Sequence, residues 1–224
     1  MAESSHNRLR LIPRGQDVRR SVLELFYGPL APVYPLLTRM LFGNAWQAWQ
    51  RAALPWLAGV RDVAEIGCGT GDFAADLAAR GKRVLAIDRS PTMTRLARRR
   101  VARSERVWIV RADARRLPLR DACLDAVVTT FPTGVFLTNE MTSEVARVLR
   151  SGGLYVAVVT AQPRSWPWWM RPFRRFFGPT AAHALLDCAQ LPSPPPVPLF
   201  AEMRWETRDD ATGRVCLWIA RRAG

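Results

Sequence analysis

Lysine is almost missing from this chain: Lys82 is the one lysine among 33 basic residues, set against 19 acids and a formal net charge of +14. The swap of lysine for arginine reads as genomic base composition. The excess of basic over acidic residues does not, and it points to an anionic partner, whether nucleic acid, anionic lipid or an acidic small molecule. Histidine occurs only at His6 and His183, which excludes a histidine-rich metal centre, and no metal is expected. The four cysteines (68, 123, 188 and 216) form no C-x-x-C pair. That argues against structural zinc and for reduced thiols in a cytoplasmic protein. No apolar run approaches the ~18 residues of a membrane span. Met1 to Arg20 is polar and basic, without a secretory apolar region. A phosphate-binding loop of the G-x-x-x-x-G-K-[ST] type is also missing: Lys82 follows Gly81, but Arg83 stands where Ser or Thr is needed.

What is present is concentrated in Val63-Ala64-Glu65-Ile66-Gly67-Cys68-Gly69-Thr70-Gly71-Asp72-Phe73. It reads as a buried strand, a glycine-rich turn and a helix start. Glycines at alternate positions let the backbone turn sharply and approach a ligand closely. The helix beginning near Phe73 aims its free N–H groups and positive dipole end at that turn. A second apolar run, Val84 to Ile87, ends in Asp88, placed to accept ribose hydroxyls. The strict dinucleotide pattern G-x-G-x-x-G fails from Gly67, where the sixth position is Asp72, and is met only in its looser form from Gly69, through Ala74.

The remaining pattern, E-x-G-x-G-x-G, resembles the cofactor loop of class I S-adenosylmethionine (SAM) methyltransferases. Further segments extend the likeness over roughly residues 25–160. Ile87-Asp88-Arg89-Ser90-Pro91-Thr92-Met93 is similar to the family's second motif, and Arg111-Ala112-Asp113-Ala114 follows a third strand. Cys123 to Val128 makes a fourth strand, and Glu144 to Leu154 a helix, tight turn and fifth strand. The resemblance implies a SAM-dependent methyltransferase with SAM held by Glu65, Gly67, Cys68, Gly69, Thr70, Gly71, Asp88, Arg89, Met93, Asp113, Ala114 and Thr130. Glu65 would supply negative charge near the methionine ammonium, Met93 would pack on adenine, and Asp113 would accept from the adenine amino group. Read on their own, Met93 could serve as a core filler and Asp113 as a cap. Cys68 beside the loop is not expected to be a catalytic thiol.

The fold expected is a Rossmann-like α/β sandwich of three layers, with a seven-stranded, mainly parallel sheet closed by an antiparallel hairpin. Strands are expected at 61–66, 83–88, 106–111, 124–130 and 153–160, and helices at 72–80, 91–103 and 138–150. Residues 1–20 read as disordered and 21–224 as one domain: a helical lead-in at 21–58, the cofactor-binding core at 61–160, a substrate-side segment at 161–198 and the hairpin at 199–222.

The lead-in, Phe26 to Tyr34, resembles that of the ubiquinone/menaquinone-type C-methyltransferases, but Gly28 and Pro35 stand where that family has acids. Trp46, Trp49 and Trp56 fall near one face of a helix starting near Asn44, as core or as a lipid-facing stripe. The stretch Arg164 to Phe177 mixes Trp, Phe and Arg; it suits a substrate lid, a membrane interface or single-stranded bases. Tyr27, Tyr34, Phe131, Pro132, Trp168 and Trp169 are the candidate acceptor-side residues. Thr129-Thr130-Phe131-Pro132 lacks the N/D-P-P-Y/F motif of base N-methylation. The expected acceptor is therefore small, apolar or lipid-like, with possible contact to an anionic membrane. RNA methylation, or SAM binding without turnover, stands as the alternative. No catalytic base stands out.

Overall fold

The computed structural model describes residues 42, 44–132, 136–164 and 197–224. The expectations for residues 1–20, for Tyr27 and Tyr34, and for the segment carrying Trp168 and Trp169 lie outside the described residues.

A short helix, α1 (Ala45–Arg51), and a 3-10 turn (Leu54–Leu57) precede the sheet. Pro55 near the start of the 3-10 turn prevents one continuous helix, so the three tryptophans do not share a face. Trp46 and Trp49 lie together with ring centroids 6.5 Å apart, whereas Trp56 lies under the Arg204 guanidinium, 4.6 Å from its ring. Trp49 is 1% exposed, which settles its role as packing and not as a lipid-facing residue.

The sheet alternates strand and helix: β1 (Asp62–Ile66), α2 (Asp72–Ala79), β2 (Arg83–Asp88), α3 (Pro91–Arg100), β3 (Val107–Arg111), β4 (Leu124–Thr130), α4 (Asn139–Val148), β5 (Leu149–Pro163). A hairpin of β6 (Phe200–Asp209) and β7 (Gly213–Arg222) closes it. The seven strands run in the order β3-β2-β1-β4-β5-β7-β6, parallel from β3 to β5 and antiparallel for β5–β7 and β7–β6. The expected architecture is therefore present, and the strand order reverses between β1 and β4, the place where such sheets open a ligand crevice.

Two apolar clusters sandwich the sheet. One joins Trp49, Phe73, Leu77, Val84, Ala97 and Val128 on the α1, α2 and α3 side. The other joins Ile66, Ile87, Val127, Met141, Tyr155 and Trp218 on the α4 side. At the amino end of the strands, Asp125 accepts from the N–H groups of Arg61 and Asp62, both at 2.9 Å, and Arg150 pairs with Asp125 and Asp62. This clamp locks β1 to β4 at the end remote from the crevice.

Several boundaries move. The third helix stops at Arg100, because Val101 leaves helical geometry. The fifth strand begins at Leu149, not at 153: Leu149 is extended, fully buried and paired with Leu124, and Gly152, at φ +72°, keeps the chain pairing through a bulge. The thiols also differ from expectation. Cys68 and Cys123 are free, but Cys216 is disulfide-bonded.

Candidate active site

Four of the five residues of β1 are buried, and Gly67 turns the chain away at its end. The N–H groups of Gly67 and Cys68 both donate to the Ile87 carbonyl, at 2.8 and 3.0 Å, which lays the loop across the end of β2. Gly71 N–H donates to the Cys68 carbonyl at 2.9 Å. The φ angles of Gly67, Gly69 and Gly71 are +77°, +52° and +79°, a region that side chains disfavour.

The three glycines do two different jobs. A Cβ on Gly71 would lie 3.1 Å from the Ala97 Cβ, so that glycine lets α2 pack on α3. A Cβ on Gly67 or Gly69 would meet nothing within 4 Å. Those two line open space at the amino end of α2, where N–H groups and the dipole favour an anionic group. The Thr70 hydroxyl donates to Asp72 at 2.6 Å, and Asp72 pairs with Arg100, which holds the loop's far shoulder.

Two acids stand behind the loop. Asp88 accepts from Gly69 N–H at 2.9 Å and from Ser90 N–H at 2.8 Å, one on each carboxylate oxygen. Each oxygen keeps a further lone pair, the requirement for a ribose acceptor. Burial pushes its pKa up, against the pull of those backbone bonds. Glu65 is 1% exposed. Burial, and then the nearby Asp88 charge, push its pKa well above the usual carboxylate range, while an N–H from Ala74 opposes them. Its Oε2 is buried without a partner. An orphaned acidic oxygen beside a glycine cradle is what a ligand with a cationic centre would satisfy. Cys68 is buried, and burial and both acids push its thiol pKa far up, which disfavours the thiolate.

On the other flank the residues fit less directly. Met93 is fully buried, and its N–H donates to the Ser90 hydroxyl that caps α3. Arg89 is exposed at the end of β2. Asp113 lies past the end of β3, but its carboxylate is engaged locally. It accepts from Arg115 N–H at 2.9 Å and pairs with the Arg115 guanidinium at 2.6 Å. That guanidinium lowers its pKa to about 2. The local-cap reading of Asp113 is therefore realised, and Ala114 beside it is half-buried.

Across the crevice, Thr130 ends β4 and its hydroxyl accepts from the Gln50 side-chain amide at 3.1 Å. Gln50 is nearly buried, on α1, and no local signal in the sequence marked it. Phe131 follows at φ +51°, with its N–H bonded to the Val158 carbonyl at 2.7 Å. Its ring stacks on Trp46 at 4.2 Å and meets Trp49 edge-on at 6.4 Å. Phe42 completes the cluster at 5.3 Å from Trp49. Phe131 and Pro132 thus stand at a half-exposed aromatic wall built largely by α1.

Comparison with known proteins places this geometry. Residues 63–153 match the family model described as a methyltransferase domain. The chain is 35% identical over 156 residues to the demethylmenaquinone methyltransferase of Deinococcus radiodurans, covering 67% of this chain and 64% of that enzyme. It is 28% identical over 167 residues to the ubiquinone/menaquinone biosynthesis C-methyltransferase UbiE of Rubrivivax gelatinosus, covering 73% and 62%. The chain belongs to the class I SAM-dependent methyltransferase family. The chain spans a little under two thirds of the length of these two relatives. The fold matches that of the geranyl diphosphate C-methyltransferase of Streptomyces coelicolor A3(2), with a TM-score of 0.55, 16% identity and 79% of each chain covered.

Proposed function

We propose that this methyltransferase binds SAM across the carboxyl ends of β1, β2 and β4 and methylates a small, apolar or lipid-like acceptor. The observation that carries the reading is the meeting of two surfaces: an open glycine loop backed by Glu65 and Asp88, and an aromatic wall of Phe131 and Trp46. Gly67 to Gly71 would hold the methionine moiety and Asp88 the ribose hydroxyls. The unpartnered Glu65 Oε2 would face positive charge, directly or through water. Arg89, Met93, Asp113 and Ala114 would border the adenine, and Thr130, fixed by Gln50, would lie beside the reacting methyl. When bound, the sulfonium supplies an electrophilic methyl group and a neutral leaving thioether.

The protein's part is then positioning and exclusion of water. The aromatic wall suits an apolar acceptor, and relatives named for quinone methylation support one of lipid-like character. Such an acceptor also supports peripheral contact with an anionic membrane. Among the described residues no helix is long and apolar enough to cross one.

Three measurements test the proposal. Calorimetry should give micromolar binding of S-adenosylhomocysteine and none of NAD. Radiolabel from SAM should enter solvent-extractable lipid and not RNA. Phe131→Ala should lower kcat/KM by tenfold or more while leaving S-adenosylhomocysteine affinity within about twofold. NAD binding in place of S-adenosylhomocysteine overturns the cofactor assignment, and label in RNA overturns the acceptor.

A further inference from the structure

The sheet has two edge strands, β3 and β6, and they differ in charge. Residues 89–111, which include β3, carry eight arginines against one acid, Glu105, so a second copy of the chain is repelled there. β6 is ten residues long and carries three acids and two arginines, without proline or lysine. Among the described residues it pairs only with β7, so its other side presents a row of backbone N–H and C=O groups open to a further strand. Its side chains sort by face. Met203 and Trp205 pack on the α4-side cluster, and Arg204 lies over Trp56 on the other side of the sheet. Alternation along the strand puts Glu202, Glu206 and Arg208 on the face of Arg204, which therefore reads acid, base, acid, base. Among the described residues Arg204 meets no carboxylate. Arg208 donates through Nε to Glu206 at 2.9 Å, and Glu202 meets Arg221 at 3.5 Å, so these four charges keep hydrogen-bonding capacity for a partner.

We propose that β6 is the interface for a second copy of this chain, paired antiparallel across a two-fold axis so that the two sheets join into one. The charges select the register. A two-fold axis perpendicular to the sheet keeps directly opposed residues on the same face, so one residue must oppose its own copy at the axis. Centred on Arg204 or on Glu206, like charges oppose each other along the face, which is destabilising. Centred on Trp205, Arg204 opposes Glu206 and Glu202 opposes Arg208, each twice, and residues 201–209 all pair. Centring on Met203 or Thr207 also opposes unlike charges but leaves part of the strand unpaired. The Trp205 register therefore satisfies both the backbone row and the charges, and it sets two indoles side by side at the axis. The inference stands apart from the acceptor reading, since β6 contributes no residue to the glycine loop, to the two acids behind it or to the aromatic wall.

Sedimentation velocity of the full chain over a dilution series is the test. The wild type should dimerise, and more weakly at high salt. R204E and E206R each set like charges opposite one another at two symmetry-related places, and each should weaken dimerisation roughly tenfold or more. Mixed together, the two variants should form a heterodimer, because one strand then carries acids at both positions and the other carries arginines. Unchanged circular dichroism and S-adenosylhomocysteine affinity would confirm that the variants are folded. Amide hydrogen exchange of the wild type gives a reading that needs no variant: β6 should gain protection as concentration rises, and β3 should not. A wild type that stays monomeric overturns the proposal, whether the edge is bare or covered by another segment of the same chain. So does a dimer that either substitution leaves intact, concentration-dependent protection of β3 in place of β6, or failure of the two folded variants to associate with each other.

Discussion

Glu65→Gln separates two demands made on one side chain. The Glu65 carboxyl accepts from Ala74 N–H at the start of α2, while Oε2 has no partner and the whole side chain is enclosed. Helix polarity favours a carboxylate there, but loss of solvation outweighs it, and the Asp88 charge adds to that loss, so the pKa is well raised. In the unfolded chain the carboxyl ionises near 4.5, while the folded protein keeps the proton to higher pH. Between those two pH values the native state binds one proton more than the unfolded state. Stability therefore falls with rising pH, by about 1.4 kcal/mol per unit at full effect. Below the lower value the contribution is fully present; above the folded pKa the loss is complete and constant. Glutamine keeps an acceptor for Ala74 N–H and has no proton to lose, so the variant lacks this slope. The raised pKa of Asp88 acts on both proteins and drops out of the difference to first order.

Urea unfolding of both proteins between pH 4 and 7 reads the effect. The two should be nearly equally stable near pH 4, and the wild type should lose ground to the variant as pH rises. Binding should behave in the opposite sense. A ligand ammonium near Oε2 favours the ionised form, so S-adenosylhomocysteine affinity of the wild type should strengthen with pH over the same interval, and that of the variant should not. Parallel stability profiles with an unchanged pH dependence of binding would refute the assignment of Glu65 as a buried, raised acid that meets the cofactor.

Asp88→Asn should weaken S-adenosylhomocysteine binding by roughly 1.5–3 kcal/mol, the worth of a hydrogen bond to a charged group, read by calorimetry on a protein with a native circular dichroism spectrum. Alanine would be a poorer probe, because it also removes the acceptor for Gly69 and Ser90 N–H. Gly71→Ala should destabilise by about 2–3 kcal/mol, because left-handed strain adds to a contact of 3.1 Å with Ala97. Gly69→Val, strained but unobstructed, should remain folded and lose cofactor binding; melting midpoints and calorimetry on the pair distinguish the two jobs.

What the sequence made legible follows from how local each signal is. β2 and β4 lie at their expected residues, because a buried parallel strand announces itself as a continuous apolar run. The glycine loop and Asp88 are legible because turn geometry and strand ends are encoded within a few residues. Asp113 shows the limit of that reasoning: a competitor two residues along, Arg115, occupies its carboxylate. The start of β5 was hidden because Leu149 follows the last residue of α4 directly, with no spacer to mark the change. Gln50 carries no signal at all, since its partner Thr130 is 80 residues away.

The proposed acceptor wall shows how such long-range features would bear on function. Phe131 is not a residue that adopts φ +51° freely, and the strain is of the order of 1–2 kcal/mol. Three contacts hold it: the N–H bond to Val158, the stack on Trp46 and the edge contact with Trp49. Two of the three come from α1, which precedes the sheet and is joined to β4 again through Gln50 and Thr130. The lead-in therefore fixes the backbone at the end of β4, the strand that pairs with β1 ahead of the glycine loop. Under the proposed function, change in α1 would alter the acceptor without touching a cofactor residue, which is how one cofactor site can serve unlike substrates.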